Sequence, residues 1–487
     1  MSATAVVWFR RDLRVRDLPA LAHACREHER VVALFVFDPA LLGGRFRSHA
    51  RTAWLLGCLE ALDGELRARG GRLVLRHGCP ETEVRRVAAD VGADTVHVSD
   101  DVTGFARARD ARVEQALGRD AVKLVRHPGL YVADLPAIRT AAGGPYTVYS
   151  PFLRAWKEQE RRPVERAPQE IAMPRIAAGR LPSLRGLGFG GALPQLEDAP
   201  APGEEAARRA ARAWVQGQGL ARYAQRRNEL AEPTSRLSAY LRFGCLSPLK
   251  LERAVVARGS ARYRDQLAWR DFFGAVQLHF PHTARVEYQE RYRSLEWDTD
   301  QELLAAWREG RTGFPVVDAA MRQLAATGWM HNRARMIVGS FLTKDLQQDW
   351  REGERHFMAH LLDGDVPNNN GGWQWIASTG VDPKPYFQRL FNPMTQQRRF
   401  DADGRYVRRW CPELARVPDD RLAEPWTMSD EEQEAAGCFI GRDYPEPVVD
   451  HAAARQPAAS CSAAVIVHGS ASVSSGTRAS SGHQRRT

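Results

Sequence analysis

The chain has 487 residues, 44% hydrophobic and 26% charged. That composition excludes disorder as the main state, and at roughly 100–200 residues per domain the length fits two to four domains. Lys and Arg outnumber Asp and Glu by 69 to 59, a net charge of +10, which favours a polyanionic partner; no apolar run approaches the roughly 18 residues of a membrane span, so no membrane partner is expected.

The opening residues, Met1–Asp12, read as a buried strand with charges behind it rather than a signal peptide. Further short β-rich runs follow Ala5–Phe9, at Val31–Phe37, Leu73–Leu75, Thr95–Val98 and Val122–Val125. Amphipathic stretches lie between them, at His49–Arg69, Glu81–Val91 and Gly104–Leu117. This alternation predicts an α/β domain over residues 1–130, a Rossmann-like five-stranded parallel sheet covered by helices, with ligands beyond the carboxyl ends of its strands. Residues 131–202 are rich in Pro, Gly and Ala and read as a linker running over the surface. Gly186, Gly188 and Gly191 fit G-x-G-x-x-G there, but with no strand before them and no helix behind they are taken as linker. Residues 203–450 read as a helical domain, and residues 451–487, mostly Ala, Ser and Gly, as a disordered tail. Seven cysteines, none in a C-x-x-C pair, argue against a disulfide framework or a cysteine zinc site and fit a reducing cytoplasm, the expected location.

Several polar clusters stand out in the helical half, each with a plainer reading. Thr234-Ser235-Arg236-Leu237-Ser238 opens an apolar helix, where hydroxyls either cap free amides or help hold a phosphate. Gln266 and Trp269 share a helix face, suited to reading and stacking a base, or equally a surface Gln beside a core Trp. Asn332 and Met336 share another face, and Arg335 beside them needs a carboxylate, for which Asp363 and Asp365 are candidates. Asn368-Asn369-Asn370-Gly371-Gly372 is poor helix material, so a ligand or special local geometry is expected there. His356 and His360 lack the glutamate of H-E-x-x-H and read as a structural pair; no metal is expected.

These residues resemble the DNA photolyase/cryptochrome family, closest to microbial class I cyclobutane pyrimidine dimer photolyases. The likeness runs from Val6-Val7-Trp8-Phe9-Arg10-Arg11-Asp12-Leu13-Arg14 to about Leu414. It is densest over Gly328–Trp375, with Trp-Met-His-Asn-Arg-x-Arg-Met, Asp-Trp-Arg-Glu-Gly-Glu and Asn-Asn-Gly-Gly-Trp-Gln-Trp. It implies light-driven repair of pyrimidine dimers in UV-damaged DNA by a monomer, through electron transfer from excited FADH⁻ to a flipped-out dimer. Carried over residue by residue, FAD would be held by Tyr223, Thr234, Ser235, Arg236, Leu237, Ser238, Arg335, Asp363, Gly364, Asp365 and Asn369. Arg227, Gln266, Trp269, Asn332, Arg333, Met336, Trp375 and Gln396 would meet the DNA, with Gln266, Asn332 and Met336 on the dimer. Trp297, Trp350 and Trp373 would form the tryptophan triad that reduces the flavin. Gln266 stands where many class I members have glutamate, which keeps a (6-4) photolyase and a cryptochrome-like photoreceptor as alternatives, whereas Asn332 and Met336 follow the dimer-repair pattern. For the antenna chromophore, Asp101-Val102 before Thr103-Gly104-Phe105, together with Lys250, resembles the 8-hydroxy-deazaflavin version more than the methenyltetrahydrofolate one.

Overall fold

The computed structural model describes residues 2–191, 196–382 and 389–454. Cys461 and all but the first four residues of the expected tail lie outside that set. Five parallel strands form the first layer: β1 (Ser2–Phe9), β2 (His28–Phe37), β3 (Leu73–His77), β4 (Thr95–Ser99) and β5 (Lys123–His127). Their order, β3-β2-β1-β4-β5, reverses direction between β1 and β4, the switch point outside which doubly wound sheets bind ligands.

Period-two alternation divides the strand side chains between two cores. Ala5, Val7, Phe9, Ala33 and Phe35 face one side; Val6, Trp8, Val32, Leu34, Val96 and Val98 face the other. Because helices cover both sides, β1 from Ala5 to Phe9 is at most 2% exposed. The first of these cores does not stop at the sheet. It runs on through Tyr240, Phe243, Leu267 and Phe272, so strands and carboxyl-terminal helices bury one continuous apolar mass.

The connecting segment is more than a tether. It carries a helix, Tyr149–Glu158, unforeseen from its composition, whose Trp156 is fully buried and donates from Nε1 to Asp271 Oδ2 at 2.9 Å. It also reaches the sheet, where Val31 N donates to Ala172 O and Leu75 N to Ala178 O. Gly186–Gly191 contains a single 3₁₀ turn, Arg185–Leu187, and no strand leads into it.

A second core lies wholly among the carboxyl-terminal helices, around Trp307, Phe341, Trp350, Phe357 and Trp373. The helix Val366–Ala377 stands between the two cores. It packs against the helices Ala261–His279, Asn332–Ser340 and Trp350–His360, and so gathers the candidate residues from all three.

Candidate active site

The 366–377 helix begins with Asp365, whose side chain accepts from Asn368 N, and Pro367 sits in its first turn, as a helix start favours. Arg11 Nη1 donates to Asp365 Oδ1 at 2.8 Å, and Arg242 Nε lies 3.9 Å away. Burial alone would push this carboxyl up, but Arg11, Arg242 and Arg270 outweigh it and hold the pKa at about 2. Gly364 has no room for a larger residue, since a Cβ there would stand 2.7 Å from Arg51 Nη1, and its carbonyl accepts from Arg242 Nε at 2.7 Å. Asp363 Oδ2 accepts from Arg335 Nη2 at 2.8 Å. Of the two carboxylates proposed for Arg335 by sequence, Asp363 is thus the partner. Arg11 and Arg242 were not singled out from sequence; the available signal was a pair of arginines at the carboxyl end of a strand, where such sheets place function.

Each of the three amides has its own anchor. Asn368 Nδ2 donates to Asp365 Oδ2 at 2.5 Å, Asn369 Nδ2 to Glu354 O at 3.0 Å, and Asn370 Nδ2 to Glu354 Oε1 at 3.0 Å. With its nitrogen tied back, Asn369 has its carbonyl oxygen available as an acceptor. Two observations test whether a flavin fits beside these residues. Asp363 Oδ1 is buried with no hydrogen-bond partner among the described residues, an expensive state unless a ligand donor meets it. A Cβ added at Gly372, one turn from Asn369, would meet no atom within 4 Å. An acceptor set beside open space suits a ring rich in N–H groups, so the residues fit.

The segment expected at the phosphates forms its own cluster. Tyr223 meets the Tyr263 ring edge-on at 5.1 Å, and Tyr263 OH donates to Ser235 Oγ at 2.9 Å. Arg236 adopts a left-handed backbone, φ 49°, and lies over the Trp329 ring. A long side chain in that region signals local strain, which clusters at ligand sites. Thr234 and Ser238 flank it, both half-buried; Leu237 is buried in the first core. Ser238 starts the short helix Ser238–Phe243.

Trp269 and Trp375 meet at right angles, ring centroids 6.5 Å apart, as two walls of a corner. Each is braced from behind. Tyr149, from the connecting helix, stacks on Trp269 at 3.6 Å and 9°; Arg389 lies 3.8 Å from the centre of the Trp375 ring. Neither brace was anticipated, because both come from segments without a periodic pattern. Gln266 is half-buried on the helix that carries Trp269. Asn332 is exposed and its Nδ2 lies 3.8 Å from Met336 Sδ, so this pair shares a face as the spacing predicts. Arg333 Nη2 donates to Asn228 Oδ1 at 3.0 Å, next to Arg227 at the end of the helix Gln218–Arg226. Gln396 sits in the helix Pro393–Phe400 with its Oε1 buried and unpartnered among the described residues.

The three tryptophans run from half-buried to buried. Trp297 is half-buried, Trp350 fully buried and Trp373 3% exposed. Asp298, next to Trp297, bridges to Gln348 just before Trp350. Gly353, on the turn after Trp350, faces Trp373 so closely that a Cβ would come within 2.1 Å of its ring. Trp350 Nε1 donates to Glu287 Oε1 at 3.0 Å, while Trp373 Nε1 is buried without a partner among the described residues. His356 and His360 lie with ring centroids 4.2 Å apart, tilted by 34°, and gather no third metal ligand among the described residues.

Comparison with known proteins accounts for this arrangement. Residues 5–170 match the family described as DNA photolyase, and residues 263–463 the FAD binding domain of DNA photolyase. A deoxyribodipyrimidine photo-lyase of Streptomyces griseus is 42% identical over 467 residues, covering 93% of this chain and 98% of that protein. The crystal structure of a bacterial class III photolyase from Agrobacterium tumefaciens superposes with a TM-score of 0.90 at 34% identity, covering 96% of this chain and 98% of that one. That of an archaeal photolyase from Sulfolobus tokodaii, solved with two FAD molecules, gives 0.81 at 29% identity, covering 94% and 99%. With both halves matched by the family's models and a 42% identical relative covered over nearly its whole length, the chain belongs to the DNA photolyase family.

Proposed function

We propose that this chain repairs cyclobutane pyrimidine dimers in DNA under blue light, with residues 203–450 as the catalytic part and 1–130 as the antenna part. One observation carries the reading. A single helix, Val366–Ala377, carries Asn369 with its amide tied to Glu354, Trp373 against Gly353 on the turn after Trp350, and Trp375 at right angles to Trp269. When bound, FAD in its reduced form supplies the light-excited electron. Arg335 holds Asp363 in place so that Oδ1 can accept from the flavin ring, and Asn369 offers an acceptor of the kind a reduced N5–H needs. Thr234, Ser235 and Ser238 provide hydroxyls for the phosphates.

Trp269 and Trp375 exclude water from the flipped dimer and stack on it. Asn332 and Gln266 donate hydrogen bonds to its carbonyls where negative charge develops. Gln266 brings donors that glutamate lacks but no proton to give. Arg227, Arg333 and Gln396 hold the flanking backbone. Trp297, Trp350 and Trp373 carry reducing electrons inward from the surface.

For the antenna, Asp101 lies at the switch point between β1 and β4, where Arg11 Nε stands 3.6 Å from it. The Asp101–Phe105 and Lys250 pattern favours an 8-hydroxy-deazaflavin; extraction of the bound chromophores and their absorption spectra decide between it, a folate and a second FAD such as the archaeal structure contains. The central test is illumination of reduced protein with an oligonucleotide containing one thymine dimer. Restored thymines are expected. Retained flavin without repair favours a photoreceptor, and repair of (6-4) lesions alone overturns the dimer assignment.

A further inference from the structure

Outside the candidate active site, four histidines and a glutamate gather where the helix Pro19–Glu27 turns into β2. His28 Nε2 and His97 Nε2 are 3.2 Å apart. Two imidazole nitrogens bound to one zinc ion at about 2.0–2.1 Å stand roughly 3.3 Å apart at the tetrahedral angle. A carboxylate oxygen of Glu27 lies within 4.8 Å of a ring nitrogen on each, and among the described residues no other three His, Cys, Asp or Glu side chains converge so closely. We propose that Glu27, His28 and His97 form a binding site for a divalent transition ion, zinc foremost.

The surroundings suit ligation. Ligating histidines use the second ring nitrogen on an outer partner, which fixes tautomer and ring orientation. His97 Nδ1 lies 2.9 Å from His127 Nε2, and donating there leaves Nε2 unprotonated toward His28. His28 Nδ1 is buried with no hydrogen-bond partner among the described residues; the nearest carboxylate, Asp94 Oδ1, is 3.9 Å away. An ion on Nε2 fixes the proton on Nδ1, facing that carboxylate. His97 is fully buried and His28 nearly so, while the Glu27 side chain is 56% exposed, which gives an entry path and a position for water. His23 Nδ1, 3.2 Å from Glu27 Oε1, holds the carboxylate over the cluster. Two histidines and one carboxylate with an open position is a familiar zinc ligand set. The ion would staple the helix to β2 and β4.

The test uses untagged full-length protein stripped with EDTA and titrated with Zn²⁺ alone by calorimetry, with Co²⁺ absorption as a second readout. One ion per chain, a tetrahedral Co²⁺ spectrum and a rise in melting temperature with Zn²⁺ are expected. His28→Gln and the exposed Glu27→Gln should each weaken binding at least tenfold, and His356→Gln should not. Because Glu27 is at the surface, its variant keeps the test open if His28→Gln fails to fold. No binding by the parent protein, or binding by the Glu27 and His28 variants as tight as the parent's, overturns the proposal.

Discussion

Arg11, just beyond β1, donates to Asp365 at 2.8 Å across 354 positions of chain. The same guanidinium faces Asp101 at 3.6 Å, so one buried cation touches both the carboxyl end of the sheet and the cap of the 366–377 helix. Both carboxylates lie beside it in a dry setting, and together they overcome the cost of burial and hold its pKa above the usual arginine value.

Arg11→Ala leaves two buried carboxylates short of a partner. Removing one member of a buried pair costs about 3–5 kcal/mol. A lower urea midpoint is expected, with FAD content per chain at least halved, read from the visible absorbance of the purified protein. A variant that keeps full flavin and stability contradicts the role given to Arg11.

Trp350→Phe keeps the ring in the core and loses the bond to Glu287. Photoreduction of oxidised flavin should slow at least tenfold, while repair by chemically reduced protein stays within a factor of two. Equal loss of both would sink the triad assignment. Gly353→Ala, which drives a methyl into Trp373, should also destabilise the fold by about 1–3 kcal/mol.

Trp375→Ala removes one wall of the corner and leaves Arg389 without its ring. Base–aromatic stacking is worth about 1–3 kcal/mol, so affinity for dimer-containing DNA should fall roughly 5- to 160-fold. Affinity for undamaged DNA should barely move, as competition binding would show.

Asp271 sets a pH dependence of stability. Burial raises its pKa to about 6, against the partial relief of Arg270, Trp156 and Ala133, and its Oδ1 has no hydrogen-bond partner among the described residues. A carboxyl raised above its unfolded value of 3.8 binds its proton more tightly when folded, so its contribution is full below that value and fades as pH climbs through about 6. Asp271→Asn keeps an acceptor for Val132 N, Ala133 N and Trp156 Nε1. From pH 4 to 7 the variant should gain on the parent by about 2.5 kcal/mol, at 1.36 kcal/mol per pKa unit. Parallel stability curves would refute this.

Much of the architecture was legible because it rests on period. The five strands are short apolar runs, and the structure places a strand at each, with β5 shifted by one or two residues from Val122–Val125 to Lys123–His127. The tryptophans and amides were legible through family likeness and chemical oddity, since Asn368–Gly372 forms helix only with each amide tied to a neighbour. Arg11, Tyr149 and Arg389 were not legible. Arg11 and Tyr149 have partners far away in sequence, and nothing local marks an arginine that will meet a carboxylate 354 positions later; Arg389 meets Trp375 only 14 positions back, but lies in a segment with no periodic pattern. The helix Tyr149–Glu158 escaped for a related reason, its apolar side being specified by Phe272 and Trp269, which lie on another element.

The single apolar mass shared by strands and helices bears on protein engineering. Leu13, Tyr131 and Leu267 belong to the same cluster, so exchanging the amino-terminal half for that of a relative, in order to install a different light collector, would set two unmatched surfaces against each other. Chimeras should work only when the recipient keeps its own Tyr149 and Trp156, whose partners Trp269 and Asp271 lie on the 261–279 helix, which places the workable splice before the connecting helix and not after it.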